Sequence, residues 1–369
     1  MKTIYMKRLL LLLFLAPLTV AANDCPDNDC NHYYNKYKHE KSKTISKKFD
    51  VSADALLKID NRYGNVDVTS WSENRVEIDV KITVSGNNED RVIKRLEEID
   101  VEFESSRSLV SAKTRIEKKS SSWNWSWGKK GNVNYKINYK VKVPISNDVN
   151  LANDYGSIYL NEIEGDASIN CDYGKIIIGE LHSTNNRINI DYCGASTVEK
   201  MNGGSINADY SKFTVEEAGD IRLNADYTTS VFEKLGALDY NCDYGSLKIN
   251  QGTSVEGNGD YLTTRLGSIS KRVNIRADYG SLRIEDLKAG FDSVVVEGDY
   301  CGVKIGVPNA PFDFELTLSY GGFKREDSGY EFSKSIVKSS SKYYQGYFKS
   351  KNSGSNIKIN SDYGSVTFY

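Results

Sequence analysis

The feature that most constrains this chain is a tyrosine that returns every 17 to 21 residues. It stands at Tyr155, Tyr173, Tyr192, Tyr210, Tyr227, Tyr244, Tyr261, Tyr279, Tyr300 and Tyr320, with a mean spacing of 18.3 residues. Asp precedes the first nine, and Ser319 stands before the tenth. Tyr363, within Ser361-Asp362-Tyr363-Gly364, repeats the unit after a gap of 43 residues. A period of this length marks a repeat architecture, in which one small unit buries its apolar side only against its neighbours.

Within a unit the pattern has period two on both sides of a turn. Leu223-Asn224-Ala225-Asp226-Tyr227 places Leu, Ala and Tyr on one face, and Asn and Asp on the other. Apolar residues return three and five positions after the Tyr, as Ile158/Leu160, Ile176/Ile178, Phe213/Val215, Leu247/Ile249, Leu282/Ile284 and Val303/Ile305. Such alternation reads as half-buried strands, and the spacing leaves no room for a helix between them. The expected fold is all-β, a single-stranded β-solenoid (β-helix) with coils of about 18 residues, preceded by a small α+β capping region with one helix. At roughly 4.8 Å per coil, ten coils make a rod on the order of 50 Å. An antiparallel sandwich would not demand so constant a register.

The same columns account for the composition. The 25 tyrosines suit a stacked ladder, and the residue two before the Tyr is small at Cys171, Ala208, Ala225, Cys242, Gly259, Ala277 and Gly298. Cys171 and Cys242 read as buried small apolar residues, four coils and roughly 19 Å apart, too far for a disulfide. Cys193 and Cys301, six coils apart, cannot pair either. Three histidines limit imidazole chemistry, and 48 basic against 50 acidic residues give no basic footprint for nucleic acid.

Residues 1–22 read as a signal peptide, with Lys7-Arg8, the apolar run Leu9 to Leu15 and the small residues Val20-Ala21-Ala22. The expectation is export to the periplasm, cell surface or medium, with no transmembrane span left after cleavage. Residues 23–44 read as a polar linker, in which Cys25 and Cys30 suit a short local disulfide. With His32 and His39 they fit no strong zinc spacing. Residues 45–147 hold an early unit, Asn61-Arg62-Tyr63-Gly64-Asn65-Val66-Asp67-Val68, then an excursion. Its expected elements are a strand at 75–84, a helix at 88–98, and strands at 99–104, 109–117 and 133–143. Residues 148–369 form the repeat domain, with an irregular cap expected at about 325–354.

Two outward columns are the candidate ligand face, Asn three before the Tyr and Asp one before it. They comprise Asn170, Asp172, Asn189, Asp191, Asn207, Asp209, Asn224, Asp226, Asn241, Asp243, Asn258 and Asp260. A row of carboxylates at coil spacing repels itself, so it calls for turn N–H groups, Ca²⁺ or the hydroxyls of a glycan. A second candidate is the tip carrying Trp123, Trp125 and Trp127, whose rings suit a sugar or a membrane interface. Arg265, Arg276 and Arg283 fall near a break in the repeat. No catalytic residue, resident metal or cofactor is indicated.

The early N-x-Y-G-x-V-x-V unit with Trp71 after it, the excursion ending in Val143-Pro144, and the Asp-Tyr-Gly repeats resemble the "putative adhesin" family of exported bacterial β-strand-repeat proteins. The resemblance covers nearly all of the chain after the leader. It implies an exported single-stranded β-helix like that of autotransporter adhesin heads and carries over no catalytic residue. The residues themselves are read as a non-catalytic rod presenting its polar face to a polysaccharide or envelope protein. The alternatives are a polysaccharide-acting β-helix enzyme and a purely structural envelope protein.

Overall fold

Alternating apolar and polar residues become strands through most of the computed structural model, which describes residues 37–117, 133–325 and 328–369. The described residues are all-β apart from one helix, and their strands join into one hydrogen-bonded sheet. Five long strands in the middle show the rule. Ser196–Asp209, Lys212–Asp226, Thr229–Asp243, Gly245–Asp260 and Leu262–Asp278 lie side by side, each parallel to the next. Asn207 faces Asn224, Asn224 faces Asn241 and Asn241 faces Asn258, so the sequence period is also the pairing register. A bulge between Gly252 and Ser254 absorbs the one-residue change in spacing.

Inward residues of both halves of each unit, such as Val215, Leu223, Ile249 and Val255, are buried in one continuous apolar cluster. A buried side chain of that size contributes roughly 1.5–3 kcal/mol, and no unit could bury its own without neighbours. The turns pass very close to one another. A Cβ on Gly174 would lie 1.9 Å from the Gly156 carbonyl oxygen, so only glycine fits after that Tyr.

The stack begins with the early unit. Strands Leu56–Arg62 and Val66–Trp71 pair in parallel with Asp148–Asp154 and Ser157–Ile163, across the excursion between them. That excursion covers the first unit's edges. Leu109–Ile116 pairs with Leu56–Arg62, and Asn134–Pro144 pairs with Val66–Trp71. Arg75–Gly86 runs antiparallel to Asn134–Pro144. The helix runs Glu89–Glu97: the Asn88 side chain accepts the Arg91 N–H at 3.0 Å, and Glu89 and Asp90 sit in its first turn. At this junction the buried Asn61 donates to Asn153 Oδ1 at 2.9 Å and accepts from Thr114 Oγ1 at 2.9 Å.

Two expected boundaries need correction. Strand His39–Asp50 starts inside the segment read as linker, pairing with Arg75–Gly86 along its whole length. Its residues are mostly exposed, so no apolar alternation announced it. The segment 325–354 is also regular: Tyr330–Val337 and Ser341–Phe348 form an antiparallel hairpin laid on Phe312–Ser319.

The last unit in sequence is not the last in space. Asn356–Asp362 lies between Ser293–Asp299 and Phe312–Ser319, parallel to both, and Val366–Phe368 lies between Gly302–Ile305 and Phe323–Arg325. The spatial order of the final tyrosines is therefore Tyr300, Tyr363, Tyr320. Deleting residues 355–369 should open two sheet edges at once. Hydrogen exchange is expected to accelerate across 293–319 while 196–243 stays protected. Unchanged protection at 293–319 would contradict the inserted strand order.

Candidate binding face

The Asp-Tyr turn sets which way each column points. Twelve tyrosines, from Tyr63 to Tyr363, have φ between 47° and 63°, a left-handed conformation rare for a bulky residue. This reverses the strand alternation at one position. The tyrosines consequently leave the apolar face on which alternation placed them, and their rings stand 39–63% exposed. Each ring stacks on the next at centroid distances of 4.7–5.2 Å and interplanar angles of 2–10°. The turn also bonds onward: the Tyr210 N–H donates to the Asp226 carbonyl and the Tyr227 N–H to the Asp243 carbonyl, both at 3.0 Å.

The Asn and Asp columns lie in register beside the ladder, and neighbours use one another as partners. Asn189 Nδ2 donates to Asn170 Oδ1 at 2.6 Å, Asn207 to Asn189 at 2.7 Å, and Asn224 to Asn207 at 3.0 Å. The carboxylate of Asp209 accepts the Asp226 N–H at 3.3 Å. Asp226 accepts from Asp243 at 3.2 Å, and Asp243 from Asp260 at 3.0 Å. Repulsion is still felt. Asp172 and Asp191 have their carboxyl pKa raised, first by burial and then by the neighbouring carboxylates; Asp260 follows the same pattern.

On the same outward surface, five and seven residues before the Tyr, lies a groove that the sequence reading missed. It has a volume of about 930 Å³ and runs from Leu56 to Arg272, past Asp166, Arg187, Arg222 and Glu256. At the strand spacing this is roughly 40 Å of polar floor. Arg222 lies 3.7 Å from Asp239, whereas Arg187 and Arg272 form no salt bridge with a described residue. Ser183 and Asn185 donate to Asp166 and hold its carboxyl below the usual range. The groove columns repeat some letters, such as Asp148, Asp166 and Asp220, but neither keeps one residue through the stack as the Tyr column does.

Other expected sites fall apart or lie elsewhere. Trp123, Trp125, Trp127, Cys25 and Cys30 lie outside the described residues. Arg265 and Arg283 converge on Glu285 at 2.7 and 2.8 Å, and Tyr369 Oη donates to the same carboxylate at 3.1 Å. That cluster clamps the inserted C-terminal unit; Arg276 instead pairs with Asp278 at 3.5 Å. Glu162, Glu180 and His182 form the one described cluster with metal-ligand geometry. His182 Nε2 lies 2.8 Å from Glu162, while Lys200 lies 3.9 Å from Glu180, so both carboxylates already have side-chain partners.

No family model matches the chain, and no curated protein does. Solved structures resemble it distantly. One is described as a putative cell adhesion protein from Clostridium sporogenes, 9% identical, with 89% of this chain and 99% of that one covered at a TM-score of 0.17. A putative adhesin from Parabacteroides distasonis is 11% identical, with 89% and 97% covered at 0.32. A putative lipid binding protein from the same organism is 9% identical, with 88% and 96% covered at 0.27. At these scores the likeness assigns neither a family nor an activity. No helix among the described residues is long and apolar enough to cross a membrane.

Two outcomes test the face. Replacing Tyr227 by Ala removes two stacked contacts, about 1–3 kcal/mol at ~0.5–1.5 each, and keeps the backbone strain. Tyr227→Gly loses the same contacts but relieves the strain, so chemical denaturation should find it the more stable variant. The second concerns pH. A carboxyl whose folded pKa is raised weakens the fold at neutral pH and ceases to do so as pH falls through that value. Asp172→Asn with Asp191→Asn should therefore raise the melting temperature at pH 7, and the gain should shrink towards pH ~4. A gain that grew on acidification would contradict the raised values.

Proposed function

We propose that this chain is an exported, non-catalytic envelope or surface protein whose parallel units wind as a β-solenoid and bind an extended polymer along one face. The observation that carries the reading is the open polar groove beside the Asn and Asp columns, following the stacking direction from Leu56 to Arg272. A periodic floor offers repeated contacts to a repeating ligand, and Arg187 and Arg272 are free to meet its oxygen atoms. A polysaccharide fits this chemistry, with charge-assisted bonds to its hydroxyl or acidic groups. The adhesin-like names of distant structural neighbours accord with a binding role. Under this reading the Asn ladder and Asp row are scaffold, since their side chains already bond to neighbouring units.

A polysaccharide array probed with and without Ca²⁺ tests the proposal. Retention is expected in both conditions. Arg187→Ser with Arg222→Ser and Arg272→Ser should weaken it at least about tenfold, the equivalent of one lost bond to a charged group. Asp209→Asn with Asp226→Asn and Asp243→Asn should change affinity by less than about threefold. Calcium-dependent retention abolished by the Asp variant would move the site to the Asn and Asp columns. Silence across the array would overturn the polymer reading.

A further inference from the structure

Four described cysteines are buried and unpaired, and one pair of them occupies adjoining units. Cys171 sits two residues before Tyr173, in the column of small inward residues. Cys193 sits one residue after Tyr192, in a column whose next two members are the hydroxyls Ser211 and Thr228. Ser211 donates to the carbonyls of Ile190 at 3.2 Å and Asp209 at 2.7 Å, and Thr228 to those of Ala208 and Asp226, both at 2.9 Å. Cys193 repeats this geometry, its thiol 3.1 Å from the Cys171 carbonyl and 3.4 Å from that of Asp191. The column of hydroxyls thus meets the column of small residues diagonally, one unit back. At this crossing both residues are cysteine: the Cys193 thiol lies against the Cys171 main chain, and the Cys171 thiol donates to the Gly156 carbonyl at 3.4 Å.

We propose that Cys171 and Cys193 are a covalent cross-link site, closed to a disulfide by a thiol-oxidising disulfide while the two units dock. The partners are 22 residues apart in sequence, so the bond would tie one whole unit to the next. Cys193 is the first nucleophile, because its neighbour Cys171 draws its thiol below the ordinary range, whereas Cys193 and burial push the Cys171 thiol up. The Cys193 thiolate attacks one sulfur of the oxidant and expels the other half as a thiolate. That thiolate takes up the Cys171 proton, and Cys171 then attacks Cys193 Sγ and expels the second half, which is protonated from solvent. Two protein thiols are oxidised and one disulfide is reduced to two thiols. Burial shields the finished bond. Cys242 and Cys301, pushed up by burial to about 12 and about 11, contact no second thiol among the described residues and stay reduced. The chemistry is independent of the binding reading.

The test is to refold the full chain in oxidised and reduced glutathione, denature it, alkylate free thiols and map the peptides by mass spectrometry. A peptide pair linked through Cys171 and Cys193 is expected, with Cys242 and Cys301 alkylated. Cys193→Ser restores the hydroxyl found at Ser211 and Thr228, so it should fold and leave Cys171 alkylated. Reductant should lower the melting temperature of the oxidised wild type by several degrees more than that of Cys193→Ser, which also cancels any contribution from Cys25 and Cys30. Full alkylation of Cys171 and Cys193 after oxidative refolding would overturn the proposal. Linkage of either one to another cysteine would do the same.

Discussion

Each turn of the ladder asks a Tyr to adopt a left-handed backbone, at a cost of roughly 1–2 kcal/mol, and the described chain does so twelve times, ten of them after an Asp. What offsets the strain is position. The turn puts the Tyr N–H onto the next unit's Asp carbonyl and the ring onto the next ring. An isolated turn has neither partner. Strain and its compensation are therefore inseparable from the one-unit parallel register, and a one-residue slip would lose ladder, hydrogen bonds and core burial together.

That constraint explains why so different a set of residues can occupy the remaining columns. Inward positions need only volume, and the Asn column needs only an amide to continue its chain of side-chain bonds. The Asp column turns its carboxylates to neighbouring backbone N–H groups. The columns further from the turn are under no such demand. There Arg187, Ser205, Arg222, Asp239 and Glu256 stand in one register line, and ligand chemistry has room to vary without disturbing the stack.

Much of this was legible in the sequence, for identifiable reasons. Period, strand pairing and inward residues follow from alternation at fixed spacing, and the helix Glu89–Glu97 from its apolar spacing. The outward aim of the tyrosines was not, because alternation fails at a left-handed residue. The groove escaped because neither of its columns keeps one letter through the whole stack. The gap of 43 residues before Tyr363 told that another unit exists, and nothing in it tells that Asn356–Asp362 enters between two earlier strands. Cys171 and Cys193 escaped for a geometric reason: reading along columns compares equivalent positions, and their contact is diagonal.

The most direct measurement of the register is a series of distances. Spin labels carried on unnatural residues at Asn150, Ser205, Asp239 and Glu256 would sit in one outward column, linked stepwise by the observed pairing. Pulsed electron resonance from Asn150 should give separations that grow by roughly 4.8 Å per unit, reaching about 29 Å at Glu256. Distances that rise and then return, as in a folded-back antiparallel sheet, would contradict the parallel one-unit register and the tyrosine ladder that depends on it.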